Sequence, residues 1–130
     1  MKARITVAAL AAVVLLVGAA SAWAALVIEG SPYTVGNEPY SLVAGDFNGD
    51  GRPDVATMNG SSPSDNMSVF LRQPAGGFAE EAGSPFSVGA GSGPSGATVG
   101  DFNGDGLLDI AVSRFVAGGV SVLLRQAGGG

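Results

Sequence analysis

The chain repeats itself, and this repeat constrains its fold more than any other feature of the sequence. Three stretches recur at nearly one spacing: GDFNGDGRPD (45–54) as GDFNGDGLLD (100–109), SVFLRQPAGG (68–77) as SVLLRQAGGG (121–130), and GSPYTVG (30–36) as GSPFSVG (83–89). The unit is therefore about 55 residues long, and self-similarity at such a period is typical of solenoids, propellers and other arrays.

We divide the chain into a leader and pieces of three units. Residues 25–38 are interpreted as the tail of one unit, residues 39–93 as a complete unit and residues 94–130 as the front of another. We expect the last unit to be truncated, because its copy continues with Phe78 and the segment GSPFSVG. A truncated gene product without an independent function is therefore one interpretation of this chain.

The first 24 residues have the pattern of a secretory signal peptide. Lys2 and Arg4 precede an apolar run from Ile5 to Val17, and the small-x-small triplet Ala22–Trp23–Ala24 predicts cleavage after Ala24. Ala20–Ser21–Ala22 offers a second cleavage site two residues earlier. The alternative is an uncleaved anchor, because the apolar run can be extended through Ile28. We expect a protein that is secreted or held at the cell surface, with the periplasm as a further compartment.

Composition limits the partners and the chemistry. The chain has six basic and eleven acidic residues, and cleavage after Ala24 removes two of the basic ones, which leaves a net charge of −7. This charge disfavours nucleic acid, and it disfavours a membrane once the signal is removed, whereas it favours cations. Cysteine and histidine are both absent, so the chain has no disulfide and no Ser-His catalysis, and it lacks the commonest transition-metal ligand.

Each unit is predicted to form short antiparallel strands. The segments YSLVAGD and PDVATMN flank the acidic stretch as a hairpin, MSVFLRQ makes a third strand, and GSPFSVG makes a fourth, in which Pro85 indicates an edge position. Four short strands in a unit of this length are typical of a β-propeller blade. The fold class is therefore all-β, with about two blades of an incomplete propeller. Phe47, Phe102 and Phe78 are expected to pack in its core.

The acidic stretch places oxygen atoms at alternate positions of a turn. Counting from the first aspartate, side-chain oxygens fall at positions 1, 3, 5 and 9, with glycine at position 6 to permit a sharp bend. The carbonyl of position 7 would point inward. The predicted ligands are Asp46, Asn48, Asp50, Arg52 (carbonyl) and Asp54 in the first loop, and Asp101, Asn103, Asp105, Leu107 (carbonyl) and Asp109 in the second.

A hard, all-oxygen cage with three carboxylates suits calcium, so the sequence predicts two Ca²⁺ sites. Magnesium prefers a tighter octahedron that retains water, and zinc prefers His or Cys. An EF-hand would need Glu at position 12, where this chain has Thr57 or Val112. The remaining alternative is a plain hairpin turn, because Asn-Gly and Asp-Gly form turns without metal.

The motif DFNGDGxxDxA, followed by SVxLRQxxGG, resembles the FG-GAP/VCBS repeat, a propeller-blade unit similar to that of integrin α-chains and many secreted bacterial proteins. The resemblance covers nearly all of residues 30–130. It implies that the acidic loop joins two strands of a blade and binds calcium. Propellers of this family usually close with seven blades, so about two blades are a departure from the family pattern.

Three functions fit these observations. The first is a calcium-stabilised adhesion or recognition module whose ligand is an unknown protein or carbohydrate, with Tyr33 and Tyr40 as candidate carbohydrate contacts. The second is the non-catalytic propeller part of a larger secreted enzyme that acts on polysaccharide. We expect no enzyme activity from this chain alone, because the adjacent Glu80 and Glu81 would face opposite sides of a strand and so could not act as a catalytic pair. The third is the truncated fragment, for which self-association would complete a propeller.

Overall fold

The computed structural model describes residues 30, 32–60 and 65–128, which form two antiparallel sheets. The eight strands are β1 (Pro39–Gly45), β2 (Asp54–Asn59), β3 (Asn66–Arg72), β4 (Phe78–Glu80), β5 (Phe86–Ser87), β6 (Pro94–Gly100), β7 (Asp109–Arg114) and β8 (Val120–Leu123). The first sheet contains β1 to β5 and the second contains β6 to β8. The described residues contain no helix, hence none long and apolar enough to cross a membrane. The predicted signal peptide lies outside the described residues.

Each acidic stretch closes a hairpin, as the sequence predicts. In the first sheet Gly45 pairs with Asp54 at the end of the β1–β2 ladder, and in the second sheet Gly100 pairs with Asp109 at the end of the β6–β7 ladder. The two hairpins even share a register irregularity at the far end of the first strand. The 55-residue sequence repeat is therefore also a structural repeat.

The fourth strand of the first sheet differs from the prediction, because two short strands share its position. Strand β4 pairs with the end of β3 (Arg72 with Phe78), whereas β5 pairs with the start of β3 (Asn66 with Ser87). Only Phe86–Ser87 of the predicted segment GSPFSVG is a strand. Gly83 has a φ of +90° in the turn between β4 and β5, and this turn interrupts the ladder.

The two sheets pack face to face, and the core lies between them. Because side chains alternate along a strand, Met58 and Val69 point from the first sheet toward the second, where Ile110 and Val112 face them. Val88, in the connection between the sheets, is buried in the same cluster. Such a stack of short antiparallel sheets is the arrangement of neighbouring propeller blades.

A buried ion pair joins the sheets at one end of this core. The guanidinium of Arg125, which follows β8, donates two hydrogen bonds to the carboxylate of Glu81, which follows β4. The Arg125 side chain is 11% exposed and that of Glu81 is 5% exposed. Ser121 adds a hydrogen bond of 2.9 Å to the carbonyl oxygen of Val88. The relative position of the two sheets is therefore fixed by polar contacts as well as by apolar contacts.

The two phenylalanines that follow the first loop aspartates have different environments, although the sequence predicts both in the core. Phe47 is 2% exposed, whereas Phe102 is 49% exposed. Phe47 contacts the inter-sheet core, where it lines a cavity together with Leu108 of the second sheet. Phe102 lies on the opposite side of the second sheet, away from that core. The prediction for Phe102 is wrong because burial there needs a further packed layer.

Candidate metal-binding loops

Glycines with positive φ make both acidic loops bend as the motif predicts. Gly51 at position 6 has a φ of +82°, and its equivalent Gly106 has a φ of +85°. Gly49 and Gly104, two residues earlier, also have positive φ. A side chain at these positions would be strained, because non-glycine residues rarely adopt such angles.

The carboxylate at position 1 organises each loop by accepting backbone hydrogen bonds. Asp46 receives the N–H of Asp50 at 3.0 Å on one oxygen and the N–H of Gly51 at 2.8 Å on the other. Asp101 receives the N–H of Asp105 at 3.1 Å and that of Gly106 at 2.9 Å in the same way. In each loop two backbone donors therefore converge on one carboxylate and close the turn.

The hydrogen bond from Gly106, followed by those from Gly104 and other loop amides, holds the pKa of Asp101 below its usual value of 3.8, although partial desolvation acts in the opposite direction. The carboxylate of Asp101 is therefore ionised at neutral pH. An ionised, solvent-facing carboxylate is the form that a metal ion requires.

The oxygens of positions 1, 3 and 5 converge, as the alternation in the sequence predicts. In the second loop the N–H of Asp105 donates both to Asp101 and to the side-chain oxygen of Asn103, at 3.1 and 3.0 Å. The amide group of Asn103 in turn donates to the carboxylate of Asp105 at 2.9 Å. The first loop repeats each of these contacts. Three oxygen-bearing side chains thus share one small region of each loop.

The position-9 carboxylates are buried, and both of their oxygens accept backbone hydrogen bonds. Asp54 receives the N–H of Phe47 at 2.9 Å and the N–H of Arg72 at 2.7 Å. The equivalent Asp109 receives the N–H of Phe102 at 2.9 Å and that of Arg125 at 2.7 Å. Each of these aspartates therefore ties the start of its loop to the end of the third strand of its sheet. This bridging role was not predicted from the sequence. A signal for it is the LRQ triplet that recurs at 71–73 and 124–126, because the arginine of each triplet supplies the donor N–H.

Position 7 distinguishes the two loops. Arg52 forms an ion pair with Asp50, and its Nε donates to the carbonyl oxygen of Arg72 at 3.2 Å. The second loop has Leu107 at this position, so that Asp105 has no arginine beside it in sequence. At both positions the N–H donates to the position-5 carboxylate. The role of the two carbonyl groups as ligands stays a prediction.

The donor set of each loop consists of oxygen atoms, which suit a hard cation. Among the residues that the structure describes, no three acidic side chains are grouped closely enough to form a metal cluster by themselves. The predicted cage, however, also uses asparagine and carbonyl oxygens. A carboxylate offers about four lone-pair sites, and Asp54 uses two of them for hydrogen bonds, so it can still accept a cation.

The two candidate carbohydrate contacts have different surroundings. The ring of Tyr33 packs at 5.8 Å from that of Phe70 and at 5.7 Å from that of Phe78. Its hydroxyl accepts the N–H of Phe78 at 3.0 Å. Tyr40 is 63% exposed at the start of β1. The surroundings of Tyr33 are those of a packing residue, and Tyr40 remains accessible to a ligand.

Comparison with protein families decides the relationship of this chain. The family model of the FG-GAP-like repeat matches residues 46–112, which is more than half of the chain. The chain belongs to the FG-GAP-like repeat family. The match begins at Asp46 and contains both acidic loops, so it spans one full repeat period and the hairpin of the next. Comparison with curated proteins and comparison with solved structures gave no match.

Proposed function

We propose that this FG-GAP-like repeat protein is an exported adhesion or recognition module in which calcium has a structural role. The observation that carries the proposal is the duplicated loop, in which the side-chain oxygens of positions 1 and 3 accept the same backbone N–H, that of position 5, in both blades. The chain has no cysteine and so no disulfide, and the described residues form a small core, so a metal ion bound at each hairpin would add stability that these features do not supply.

The ion would be held in the first loop by Asp46, Asn48, Asp50, Asp54 and the carbonyl oxygen of Arg52, and in the second loop by Asp101, Asn103, Asp105, Asp109 and the carbonyl oxygen of Leu107. A bound cation would supply the counter-charge for carboxylates that otherwise repel one another. The protein prepares the loop by bending it at Gly51 and Gly106 and by fixing the position-1 carboxylate with two backbone donors. The position-9 carboxylate links the loop to the end of the third strand, because it accepts the backbone N–H of Arg72 in the first blade and that of Arg125 in the second.

The second loop is expected to bind calcium more tightly than the first. In the first loop the guanidinium of Arg52 already neutralises part of the charge of Asp50, and a cation must compete with it. The Arg52 side chain is 37% exposed, so solvent weakens this ion pair. Leu107 imposes no such competition in the second loop.

The surroundings of the two glutamates support a module without catalysis. Glu81 is 7% exposed and is held by Arg125, whereas Glu80 is exposed and accepts a hydrogen bond from Ser84. Neither arrangement offers a carboxylate pair that spans a substrate cleft. A recognition role would instead use exposed loop residues on the rigid sheets, and the ligand would be a protein or a carbohydrate.

Thermal unfolding with and without calcium tests the structural role of the metal. At a calcium concentration tenfold above Kd, each site would stabilise the folded state by about 1.4 kcal/mol, which raises the Tm by several degrees in a domain of this size. The variant Asp50→Ala/Asp105→Ala should lose this rise, and Glu80→Ala, an exposed carboxylate outside the loops, should keep it. An equal rise in all three proteins would contradict the proposed sites.

Export is tested separately by the mass of the protein that is recovered outside the cytoplasm. Cleavage after Ala24 would leave a chain that begins at Ala25. A recovered protein that still carries Met1 and fractionates with membranes would support the anchor instead.

A further inference from the structure

Each blade has two different faces, and the repeat shows what packs on each of them. Within the chain, Phe47, Met67 and Val69 of the first blade pack in the core against Ile110 and other residues of the second blade. One face of a blade thus meets the opposite face of the next blade. The second blade has a face of the first kind on its outer side, and the first blade has a face of the second kind on its outer side.

The outer side of the second blade carries what we call the trailing face: Phe102, Val120 and Val122. In the repeat alignment these residues are the equivalents of Phe47, Met67 and Val69. Those three are at most 3% exposed, whereas Phe102, Val120 and Val122 are 49%, 60% and 50% exposed. Exposed apolar clusters of this kind mark interaction surfaces.

The outer side of the first blade carries the leading face: Leu42, Val55 and Phe70, with Tyr33 and Val35 against them. The equivalents of the first three are Ala97, Ile110 and Leu123, and all of these pack in or against the core between the blades. Tyr33 and Val35 correspond to Phe86 and Val88, which fill the junction between the blades. The leading face therefore already has the connecting segment that the internal interface uses, and Leu42 on it is 65% exposed.

We propose that copies of this chain associate head to tail, with the trailing face of one copy packed on the leading face of the next. The internal contact between the two blades is the template for this contact. Such an interface is heterologous, because two different surfaces meet, and it generates either a closed ring or an open stack. This association goes beyond the proposed calcium role and does not depend on it.

The template also indicates which contacts form and how strong they are. Phe47 lines one cavity with Leu108 inside the chain, so Phe102 would contact Pro53 of the next copy, the equivalent of Leu108. The trailing face is less apolar than its template, because Thr98 and Ser113 replace Val43 and Met58. The contact between copies is therefore weaker than the internal one, and association should depend on protein concentration.

Sedimentation velocity of the exported chain, with millimolar calcium and across the micromolar range, tests the proposal. The wild-type protein should form species larger than a dimer as concentration rises. Val122→Glu and Leu42→Glu should each weaken association by about 100-fold or more, because a charge would be buried without a partner. Phe115→Glu is the matched control, since this residue is 83% exposed in the turn after β7 and is not one of the residues that define either face. It should associate like the wild type.

Mixing the two monomeric variants is the decisive step. The Val122→Glu chain keeps an intact leading face and the Leu42→Glu chain keeps an intact trailing face, so an equimolar mixture should form a dimer and nothing larger. This dimer also demonstrates that both variants are folded. A wild-type chain that stays monomeric throughout would overturn the proposal. A mixture that does not dimerise, or a Leu42→Glu chain that still dimerises through its trailing face, would overturn the head-to-tail arrangement.

Discussion

The buried carboxylate of Asp54 offers a test of how the loop is joined to its blade. Replacing it in Asp54→Ala removes the acceptor for two backbone donors, the N–H groups of Phe47 and Arg72. Asp54 is 0% exposed, so water cannot replace the lost acceptor without opening the loop. Leaving a buried donor unpaired costs about 1–3 kcal/mol. The two donors together therefore predict a loss of about 2–6 kcal/mol in the free energy of unfolding.

This loss is a large part of the 5–15 kcal/mol that is typical of a folded domain, and urea unfolding followed by far-UV circular dichroism should reveal it. The measurement is made in chelator, because the hydrogen bonds do not require metal. With an m value of about 1–3 kcal/mol/M, the urea midpoint should fall by about 1 M or more. If Asp54→Ala unfolded at the same urea concentration as the wild type in chelator, the bridging role would be refuted.

Asp109→Ala is the matched control, because Asp109 makes the same two hydrogen bonds in the second blade. Its donor residue Phe102 is 49% exposed, whereas Phe47 is 2% exposed. Water can therefore reach the freed N–H group of Phe102 more readily, and Asp109→Ala should cost less than Asp54→Ala. Equal costs would show that burial does not decide the difference.

Three further predictions concern the ion pairs and the titration of the loops. Glu81→Gln removes one partner of the buried ion pair and should lower the free energy of unfolding by about 3–5 kcal/mol, as measured by urea unfolding. A double-mutant cycle with Arg125→Gln that gave no coupling energy would show that the pair does not hold the sheets together. Arg52→Leu should raise the calcium affinity of the first loop toward that of the second, and the reciprocal Leu107→Arg should lower the calcium affinity of the second loop. Calorimetry measures both affinities, and unchanged values would exclude competition by Arg52. Because the pKa of Asp101 is lowered in the folded state, the contribution of this carboxylate to stability is present above its unfolded pKa of 3.8 and is lost as the pH falls through its lower folded pKa. An NMR titration of Asp101 in chelator should have its midpoint below pH 3.8. A midpoint at or above pH 3.8 would contradict the assigned hydrogen bonds.

The sequence predicted the hairpins well because their signals are local. The acidic loop, its glycines and the alternating strands on each side lie within about 20 residues, and β1, β2 and β3 begin and end within one residue of the predicted segments. The fourth strand was less predictable. Its position depends on how residues 78–87 divide between a turn and two short ladders on β3, and that choice is made by tertiary pairing.

The candidate site shows the same limit. The positions of the loop oxygens and the bend at position 6 follow from the motif, and both were predicted. The burial of Asp54 and Asp109 was not, because their donors at Arg72 and Arg125 lie about 16 to 18 residues away in sequence. The ion pair between Glu81 and Arg125 joins residues of two different repeats. Contacts between units depend on how blades stack, and a single repeat contains no local signal for them.

The most direct test of the central claim is a calorimetric calcium titration of the folded protein. We predict two calcium ions per chain, with Kd values of about 10⁻⁴–10⁻³ M, as in many extracellular modules, and no binding by the Asp50→Ala/Asp105→Ala variant. A folded wild-type chain that binds no calcium well beyond this range would contradict the account. The two acidic loops would then be turns held by hydrogen bonds alone.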